Sequence, residues 1–525
     1  MNRILLFIIA AFTLLAPTKS QTLQEQRELD LAMRKLATAQ MAIKALYIDT
    51  TNIEQLTDEA IKAMLEQLDP HSTYSNAEET KKFTEPLNSN FEGIGVQFNV
   101  LNDTLVVVQP VSKGPSEKVG ILAGDRIVAV NDTAIAGVKM SRENMMKKLR
   151  GPKGTIARLA VVRRNVSETL YFNVVRDKIP LYSVDAAYMI RPEIGLIRIG
   201  NFAISTHDEV RDAIKKLKKK GMKSLILDLQ QNGGGYLEAA KGVASEFLNK
   251  NDLVVYTDGR SVPKQTLKAV GGGLFTEGNL VVLVDEYTAS AAEIVSGAIQ
   301  DYDRGLIVGR RTFGKGLVQR PIDMPDGSMI RLTVSHYYTP SGRCIQKPYE
   351  KGKKRDYDED MLNRYNSGEL MHLDSIHFAD SLKYYTLNKH RVVYGGGGIM
   401  PDYFIPLDTT VYTKYYRNLS RKNIVIDSYL SYIDNHRAEL KSAYKKFEKY
   451  NEQFEVPTQI IDTIYSQGKK MNVEPIDETE VKQTTATIKT IIKALIARDL
   501  WDMSEYYAIV YEDNDIVKKA IELLQ

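Results

Sequence analysis

The spacing of apolar positions changes along the chain, and the changes divide it into segments of different predicted structure. In residues 21–90 and 411–525 apolar side chains recur at helical spacing. Residues 91–177 hold short alternating runs between glycine turns, which predicts strands. In residues 179–408 apolar strands alternate with amphipathic helices. We therefore expect a multidomain protein of α+β and α/β type, with an N-terminal helical segment, a small β-rich domain, an α/β core and a C-terminal helical region.

Two segments of the chain contain no predicted catalytic or binding residues. Residues 346–394 are polar and rich in Tyr and Asp, which favours an insertion in the core, and residues 395–407 are expected to return to the core as a strand. The helical region 411–525 has three interpretations: a cap, a dimer surface or a substrate contact.

The N-terminal segment contains a helix whose apolar stripe needs a partner. Ile61, Met64, Leu65 and Leu68 share one face at helical spacing. This face must pack either on the body of its own chain or on a second subunit, and packing within the chain is the simpler interpretation.

The first residues have the pattern of a secretory signal peptide. Met1-Asn2-Arg3 is a short basic start, residues 4–16 form an apolar run too short to span a membrane, and Thr18-Lys19-Ser20 is a small-x-small cleavage site. No cysteine follows that site, which argues against a lipid anchor. We predict that residues 1–20 are removed on export and that the mature protein is soluble and periplasmic.

Composition excludes several function classes. Lys and Arg number 70 against 66 Asp and Glu, and a net charge of +4 is too small to imply a nucleic-acid partner. Cys344 is the only cysteine, so it has no partner for an internal disulfide. The sequence has no H-E-x-x-H motif and no Cys/His cluster, so we predict neither a metal nor a cofactor.

Ser290 lies where a buried strand meets a helix. The apolar run 279–284 precedes it, and Ala291 and Ile294 begin a helical face after it. Backbone N–H groups point outward at such a turn, where the helix dipole favours negative charge. The turn suits a nucleophile whose reaction passes through an oxyanion. The alternative is that Ser290 and Glu293 form an S-x-x-E capping box with only a structural role.

Lys315, in the run Gly314-Lys315-Gly316, is a candidate for the base that this serine needs. A serine hydroxyl is a poor nucleophile until a base takes its proton. A lysine accepts that proton where a dry site lowers its pKa towards neutrality. Considered alone, Lys315 would be a solvated loop lysine.

A second strand, residues 224–229, runs into the loop Gln230-Gln231-Asn232-Gly233-Gly234-Gly235. Successive glycines let the backbone approach a ligand and aim its N–H groups at it. A flexible turn and a phosphate cradle are the alternatives, but the loop lacks a G-x-x-x-x-G-K-[ST] motif. An oxyanion hole fits better, with one N–H from this loop at Gly234 and one from Ala291.

These elements resemble the C-terminal processing peptidases, or tail-specific proteases, of the serine–lysine peptidase family S41. The resemblance covers roughly residues 45–408, and its motifs are Leu68-Asp69-Pro70-His71-Ser72, Asp228-Leu229 with Asn232-Gly233-Gly234-Gly235, Ala289-Ser290-Ala291-Ala292-Glu293, Gly314-Lys315-Gly316-Leu317-Val318-Gln319, Tyr338-Thr339-Pro340-Ser341-Gly342-Arg343 and Gly398-Ile399-Met400-Pro401-Asp402. It implies that Ser290 is the nucleophile, that Lys315 is the general base and that Gln319 holds the lysine amine.

The chain departs from the family pattern at two positions of the glycine loop. The family often has Arg at the position of Gln230 and Pro at the position of Gly233. Neither position carries the chemistry, so the departures bear on the rigidity of the loop and not on the reaction class.

Residues 91–177 resemble a PDZ domain, with Gly93-Ile94-Gly95-Val96 as the carboxylate-binding loop. Successive N–H groups there can hold a free C-terminal carboxylate while the peptide adds to the sheet as a strand. A generic hairpin is the alternative for G-x-G alone, and the longer run over residues 123–131 favours the PDZ domain.

A histidine-based triad is the rival mechanism. Of the seven histidines, only His336, on the strand before Tyr337, is a candidate for the base. The others are expected to be surface residues or to have a structural hydrogen bond.

Two functions from different classes remain. The first is a serine endopeptidase with a Ser–Lys dyad that cleaves exported proteins at or near their C-termini and recognises the substrate tail with its PDZ domain. The second is a catalytically silent PDZ scaffold. The sequence keeps every part of the chemistry, which favours the enzyme. Its expected partners are polypeptides with free C-termini, and the resemblance adds a homodimer and an adaptor protein as further candidates.

Overall fold

The computed structural model describes residues 23–525. The signal peptide predicted for residues 1–20 therefore lies outside the described residues. The described part of the chain combines helices and sheets in several domains, which confirms the expected multidomain class.

The N-terminal helices contribute little buried surface. They span Leu23–Leu46, Ile53–Glu66 and Ala77–Leu87, and the strand Thr73–Ser75 lies between the last two. The first helix buries none of its residues. Of the predicted stripe only Leu65 is buried, while Met64 and Leu68 stay exposed. The body of this chain therefore covers the stripe only in part.

An antiparallel sheet forms the domain predicted as β-rich. Its six strands are Val96–Leu101, Thr104–Pro110, Arg126–Val130, Thr133–Ala134, Ile156–Val162 and Leu170–Val175. The helices Pro115–Lys118 and Arg142–Leu149 belong to the same domain, whose core includes Leu105, Ile127 and Leu159. The strands Asn90–Gly93 and Asp177–Pro180 pair where the chain enters and leaves this domain.

The α/β core is built on a second sheet. In spatial order its six strands are Val184–Arg191, Ile194–Ile199, Ser224–Asp228, Asn279–Val284, Leu306–Gly309 and Tyr403–Phe404. All neighbours are parallel except the first pair. The last strand is the one expected within residues 395–407.

Both faces of this central sheet are covered. The core helices on one face are Thr206–Lys219, Leu237–Ser245 and Ala291–Asp301. Leu225 and Leu227 pack in the cluster on that face. Ile226, between them, packs instead with Val517 and Ala520 near the C-terminus. Since a parallel strand buried on both faces is a continuous apolar run, this arrangement explains the sequence of residues 224–229.

A smaller sheet carries the segment after Lys315. Its strands are Thr73–Ser75, Leu253–Asp258, Gln265–Lys268, Leu317–Asp323 and Met329–Tyr338. Leu317–Asp323 and Met329–Tyr338 form an antiparallel hairpin. The loop that contains Lys315 therefore runs from the central sheet to this hairpin.

The remaining segments are mostly helical. Residues 346–394 hold the helices Lys354–Asp358 and Asp360–Asn366, the 3₁₀ turns Leu373–Ser375 and Asp380–Leu382, and the paired strands Lys383–Tyr385 and Val392–Tyr394. The C-terminal helices are Lys414–Arg421, Ile424–Ala443, Phe447–Gln453, Thr458–Lys470, Glu478–Leu500, Met503–Val510 and Asp515–Leu524.

Candidate active site

Ser290 lies at the turn between the strand Asn279–Val284 and the helix Ala291–Asp301. Its φ is 55° and its ψ is −115°, a backbone conformation that residues other than glycine rarely adopt. Such strain persists only where the surrounding structure enforces it, and a serine on a strained strand-to-helix turn exposes its hydroxyl as a nucleophile. A capping residue is normally extended, so the capping box alone does not account for this backbone.

The buried carboxylate of Glu293 joins the serine turn to the lysine loop. Its Oε2 accepts the N–H of Ser290 at 2.8 Å and the N–H of Lys315 at 2.9 Å. Its Oε1 accepts the N–H of Gly314 at 2.8 Å and the hydroxyl of Thr312. Burial raises the pKa of Glu293 from 4.5 to about 7, although these hydrogen bonds act in the opposite direction. The sequence places Glu293 in a family motif and in a possible capping box, but does not predict its bonds to the lysine loop.

The amine of Lys315 is in the environment that a lysine base needs. Burial lowers its pKa from 10.5 to about 8, and the charge of Arg331 acts in the same direction. The carboxylates of Glu293 and Asp69 oppose this shift but do not cancel it. A lysine with this pKa is partly neutral near pH 8, and only the neutral amine can accept a proton.

The hydroxyl of Tyr337 contacts the same two residues from the other side. It donates towards the carbonyl oxygens of Ser290, at 3.1 Å, and Lys315, at 2.5 Å. Glu293 thus binds the N–H groups of both residues, and Tyr337 binds both carbonyls. These four bonds fix the backbone of Ser290 relative to the backbone of Lys315. In the described residues, no hydrogen bond joins the two side chains. Tyr337 had no predicted role.

Gln319 lies opposite Thr333 in the hairpin of the smaller sheet. Its Nε2 donates to Thr333 Oγ1 at 3.2 Å, and Thr333 Oγ1 donates to Asp69 Oδ1 at 2.9 Å. In the part of the chain that the structure describes, no hydrogen bond joins Gln319 to Lys315. The amide is instead oriented by a chain of hydrogen bonds that ends in the Asp-Pro-His-Ser motif at Asp69.

The glycine loop lies directly against the serine turn. A Cβ placed on Gly234 would lie 2.8 Å from Ser290 Cβ and 3.0 Å from the nitrogen of Ala291, and φ is +99° at Gly234. Only glycine fits this position without a shift. The N–H of Gly234 donates to Asn232 Oδ1 at 2.9 Å. The N–H of Ala291, at the first helical position, has no acceptor within its own helix.

Two histidines bear on the rival triad. His336 is exposed, on the opposite side of its strand from the buried Tyr337. His71 lies nearer the lysine: burial, and then the charge of Lys315, lower its pKa from 6.5 to about 3. Its Nε2 hydrogen-bonds with the hydroxyl of Tyr357 at 2.8 Å. Neither histidine has a hydrogen bond with Ser290 in the described chain.

The predicted carboxylate-binding loop lines a small cavity of the β-rich domain. The residues around this cavity are Phe91, Gly93, Ile94, Gly95, Val96, Phe98, Met146, Leu149 and Arg150. The lining is apolar apart from Arg150, whose guanidinium lies 4.8 Å from the ring centre of Phe91 and pairs with Glu85 at 2.5 Å. A cation therefore stands at the edge of the loop, at a position that the sequence did not single out.

Residues 23–525 contain neither a candidate membrane span nor a candidate metal site. No helix there is long and apolar enough to cross a membrane. No group of three or more His, Cys, Asp or Glu side chains in that range is arranged to hold a metal ion.

Four family models match parts of the chain. The model Peptidase family S41 matches residues 193–358, and the model PDZ domain matches residues 93–175. The model Activating protease CtpB N-terminal domain matches residues 13–80, and Family of unknown function (DUF8443) matches residues 415–502. The S41 match contains Ser290 and Lys315, and the PDZ match contains the loop that begins at Gly93.

Relatives with curated descriptions match most of the chain. Carboxy-terminal processing protease CtpA of Bacillus subtilis is 36% identical over 349 residues, which cover 65% of this chain and 74% of the relative. The carboxy-terminal-processing protease of Bartonella bacilliformis is 32% identical over 352 residues, 66% of this chain and 80% of the relative. This chain belongs to the carboxy-terminal processing proteases of peptidase family S41.

Membership of the carboxy-terminal processing proteases makes the protein a serine-type peptidase with a PDZ domain. It confirms the resemblance found in the sequence motifs and selects the enzyme over the silent scaffold. Among solved structures, the photosystem II D1 C-terminal processing protease is 29% identical with a TM-score of 0.33, covering 59% of this chain and 89% of that one.

In this processing protease, Gly234→Ala is expected to lower kcat/KM by about 10²-fold, the effect of a displacement of about 1 Å in a catalytic site. The added Cβ would press on Ser290 Cβ and on the nitrogen of Ala291. The measurement is the rate of hydrolysis of an unfolded protein. Gly233→Ala is the matched control, because a Cβ there meets no atom within 4 Å. Similar rates for the two variants would contradict the close packing of Gly234 on the serine.

Proposed function

We propose that this peptidase uses Ser290 as its nucleophile and Lys315 as its general base, and that it cleaves exported polypeptides at or near their C-termini. The observation that carries the proposal is the junction at Glu293, whose carboxylate accepts the N–H groups of both residues. The lowered pKa of Lys315, about 8, supports the role of its amine as the base.

The proposed reaction is acyl transfer through an ester on Ser290. The neutral amine of Lys315 takes the proton of Ser290 Oγ as this oxygen attacks the scissile carbonyl. The resulting oxyanion lies at the N-terminus of the helix Ala291–Asp301, where the helix dipole and the N–H of Ala291 stabilise negative charge. The lysine ammonium then protonates the leaving amine, and water hydrolyses the ester.

Gln319 and Gly234 have supporting roles in this proposal. With its Nε2 on Thr333, Gln319 has a fixed amide plane, and we propose that its carbonyl oxygen receives the lysine ammonium after proton transfer. Gly234 is proposed as the second oxyanion donor. Its N–H is bonded to Asn232 in the structure, so this role requires that the substrate oxygen replace the Asn232 oxygen.

We expect Ser290→Ala to lower peptide hydrolysis by about four to six orders of magnitude, as removal of a catalytic nucleophile does in other serine peptidases. Purified mature protein and the variant are incubated with an unfolded protein, and their fragments are compared. The circular dichroism spectra and melting temperatures of the two proteins should agree, since only a hydroxyl is removed. Hydrolysis at the wild-type rate would return Ser290 to a capping role.

The activity should depend on pH through Lys315. The amine is protonated and inactive as a base below its pKa, so kcat/KM should rise about tenfold per pH unit and level off above about pH 8. Lys315→Arg should be inactive over the whole range, because a guanidinium stays protonated. Lys351→Arg, at an exposed lysine, is the control and should keep the wild-type profile. An active Lys315→Arg variant would require another base, and His71 would be the first to test.

We also propose that the PDZ domain binds the C-terminal tail of the substrate in the cavity at Gly93-Ile94-Gly95-Val96. The cavity is apolar apart from Arg150, whose guanidinium is paired with Glu85, and it therefore suits small or apolar terminal residues. The successive N–H groups of the loop would bind the terminal carboxylate. A bound tail would raise the local concentration of the substrate at Ser290.

Amidation of a long substrate's C-terminus should slow its cleavage, because it removes the charge that the PDZ loop binds and leaves the scissile bond unchanged. We expect a decrease in kcat/KM of about tenfold or more. A short peptide that reaches Ser290 directly is the control, and its free-acid and amidated forms should be cleaved at the same rate. Equal rates for the two forms of the long substrate would show that the carboxylate is not recognised.

We also propose that the protein is exported to the periplasm and forms a homodimer. The pattern of residues 1–20 supports export to the periplasm. The helix Leu23–Leu46 supports a homodimer, because Leu31, Leu36 and Met41 are among its exposed apolar side chains. An adaptor protein is the alternative partner for the same face.

A further inference from the structure

The last helices of the chain form part of the scaffold below the active site. Ile516, Val517, Ala520 and Ile521 share one buried cluster with Ile226 on the central strand Ser224–Asp228. The glycine loop follows directly from the end of this strand. The C-terminal region therefore contacts the strand that positions the proposed oxyanion hole.

A buried group of polar side chains lies where this strand ends. Asp228 is 0% exposed, and its Oδ2 accepts Arg198 Nη1 at 2.6 Å and the hydroxyl of Tyr511. Tyr511 OH in turn accepts a second hydrogen bond from Arg198 Nη1 at 2.9 Å. The guanidinium of Arg198 also lies 4.8 Å from the ring centre of Tyr507. Tyr507, on the helix Met503–Val510, and Tyr511, which follows that helix, thus contact this buried ion pair. A second carboxylate, Asp185 Oδ2, lies 3.4 Å from Arg198 Nε.

The same ion pair holds the first residue of the glycine loop. Asp228 Oδ1 accepts the backbone N–H of Gln230 at 2.9 Å and its side-chain amide at 3.1 Å. Arg198 Nη2 donates to the carbonyl of Gln230 at 3.1 Å. All the polar groups on the main chain of Gln230 are therefore bonded to Asp228 or Arg198.

The loop depends on such anchors because its own sequence does not restrict it. Gly233, Gly234 and Gly235 follow one another, and glycine has the most backbone freedom of any residue. Beyond Gln230 the loop reaches the serine turn through one main-chain bond, from the N–H of Ala289 to the carbonyl of Asn232 at 2.9 Å. Two further hydrogen bonds hold the loop, from the N–H of Phe202 to the carbonyl of Gly234 at 2.9 Å and from Asn232 Nδ2 to the carbonyl of Ile199 at 2.8 Å. The first residue of the loop depends on Asp228 and Arg198, so a rotation of the Asp228 carboxylate would release Gln230.

We propose that Tyr511 is a positioning residue for the oxyanion loop. Its hydroxyl fixes Oδ2 of Asp228, so that Oδ1 faces Gln230 and the loop holds Gly234 against the serine turn. The C-terminal helical region, to which the sequence assigned no chemistry, would then tune the rate of the chemical step and not the binding of substrate. The inference rests on the proposed function of Ser290.

The test compares Tyr511→Phe with Tyr506→Phe in the full mature protein. Tyr511→Phe removes only the hydroxyl on Asp228, while Tyr506 lies on the helix Met503–Val510 and has no hydrogen bond from its hydroxyl within residues 23–525. The readouts are kcat and KM for a short peptide and the Kd of the matching peptide boronate, which forms a tetrahedral adduct in the hole. Active sites are counted with a fluorophosphonate, so that misfolded protein does not enter kcat.

We expect Tyr511→Phe to lower kcat about tenfold, the effect of losing one hydrogen bond to a charged group, with KM unchanged. The boronate Kd should rise by a similar factor, and Tyr506→Phe should match the wild type. Unchanged kcat and boronate affinity would overturn the proposal, even if the melting temperature falls. An equal loss in Tyr506→Phe would also overturn it. If Ser290→Ala stays active, the proposed function fails as well. An inactive Ser290→Ala with an unaffected Tyr511→Phe rejects the role of Tyr511 alone.

Discussion

The buried carboxylate of Glu293 is the group on which the geometry of the site depends. A carboxylate that is 0% exposed needs hydrogen-bond donors in place of water, and Glu293 has four, from Ser290, Gly314, Lys315 and Thr312. Three of these donors lie on the lysine loop and one on the serine turn. Neither segment can move away without leaving a buried polar group unpaired. The cost of desolvating one side chain therefore holds the proposed nucleophile Ser290 and the proposed base Lys315 at a fixed relative position.

A second constraint is the packing of the strand that leads into the glycine loop. The strand Ser224–Asp228 is apolar on both faces, and each face has a different cover: the core helices on one side and the C-terminal helices on the other. The ion pair of Asp228 and Arg198 sits at the end of this strand and holds the glycine loop. The three glycines of the loop allow many backbone conformations. The hydrogen bonds of the loop to the sheet and to the serine turn select one of them.

The sequence could predict the parts of the site that are encoded locally. An apolar strand, a run of small residues and a helical face follow one another around Ser290, and a strand runs into three glycines at Gly233–Gly235, so the two turns and their juxtaposition could be expected. The fold class followed from the same periodicities.

The S-x-x-E spacing even indicated the bond from Ser290 to Glu293, but not the bonds to Gly314 and Lys315, because contacts between distant loops leave no periodic signal. The contact of Gln319 with Thr333 depends on the register of a hairpin that is irregular between Val318 and Gln319. The spacing of residues in the sequence does not predict this irregularity. The pattern also predicted C-terminal helices without saying which of them would cover the sheet.

The packing of Val517 and Ala520 under the central sheet also sets the order of events during biosynthesis. A chain is made from its N-terminus, so Ser290, Lys315 and the PDZ segment all exist well before the residues that close the second face of the sheet. Until residues 511–521 emerge, Ile226, Val281 and Leu283 lack their cover, and the ion pair at Asp228 lacks Tyr511. The second face of the central sheet therefore closes only after the segments that hold Ser290 and Lys315 have been synthesised, so the support beneath the proposed site forms late.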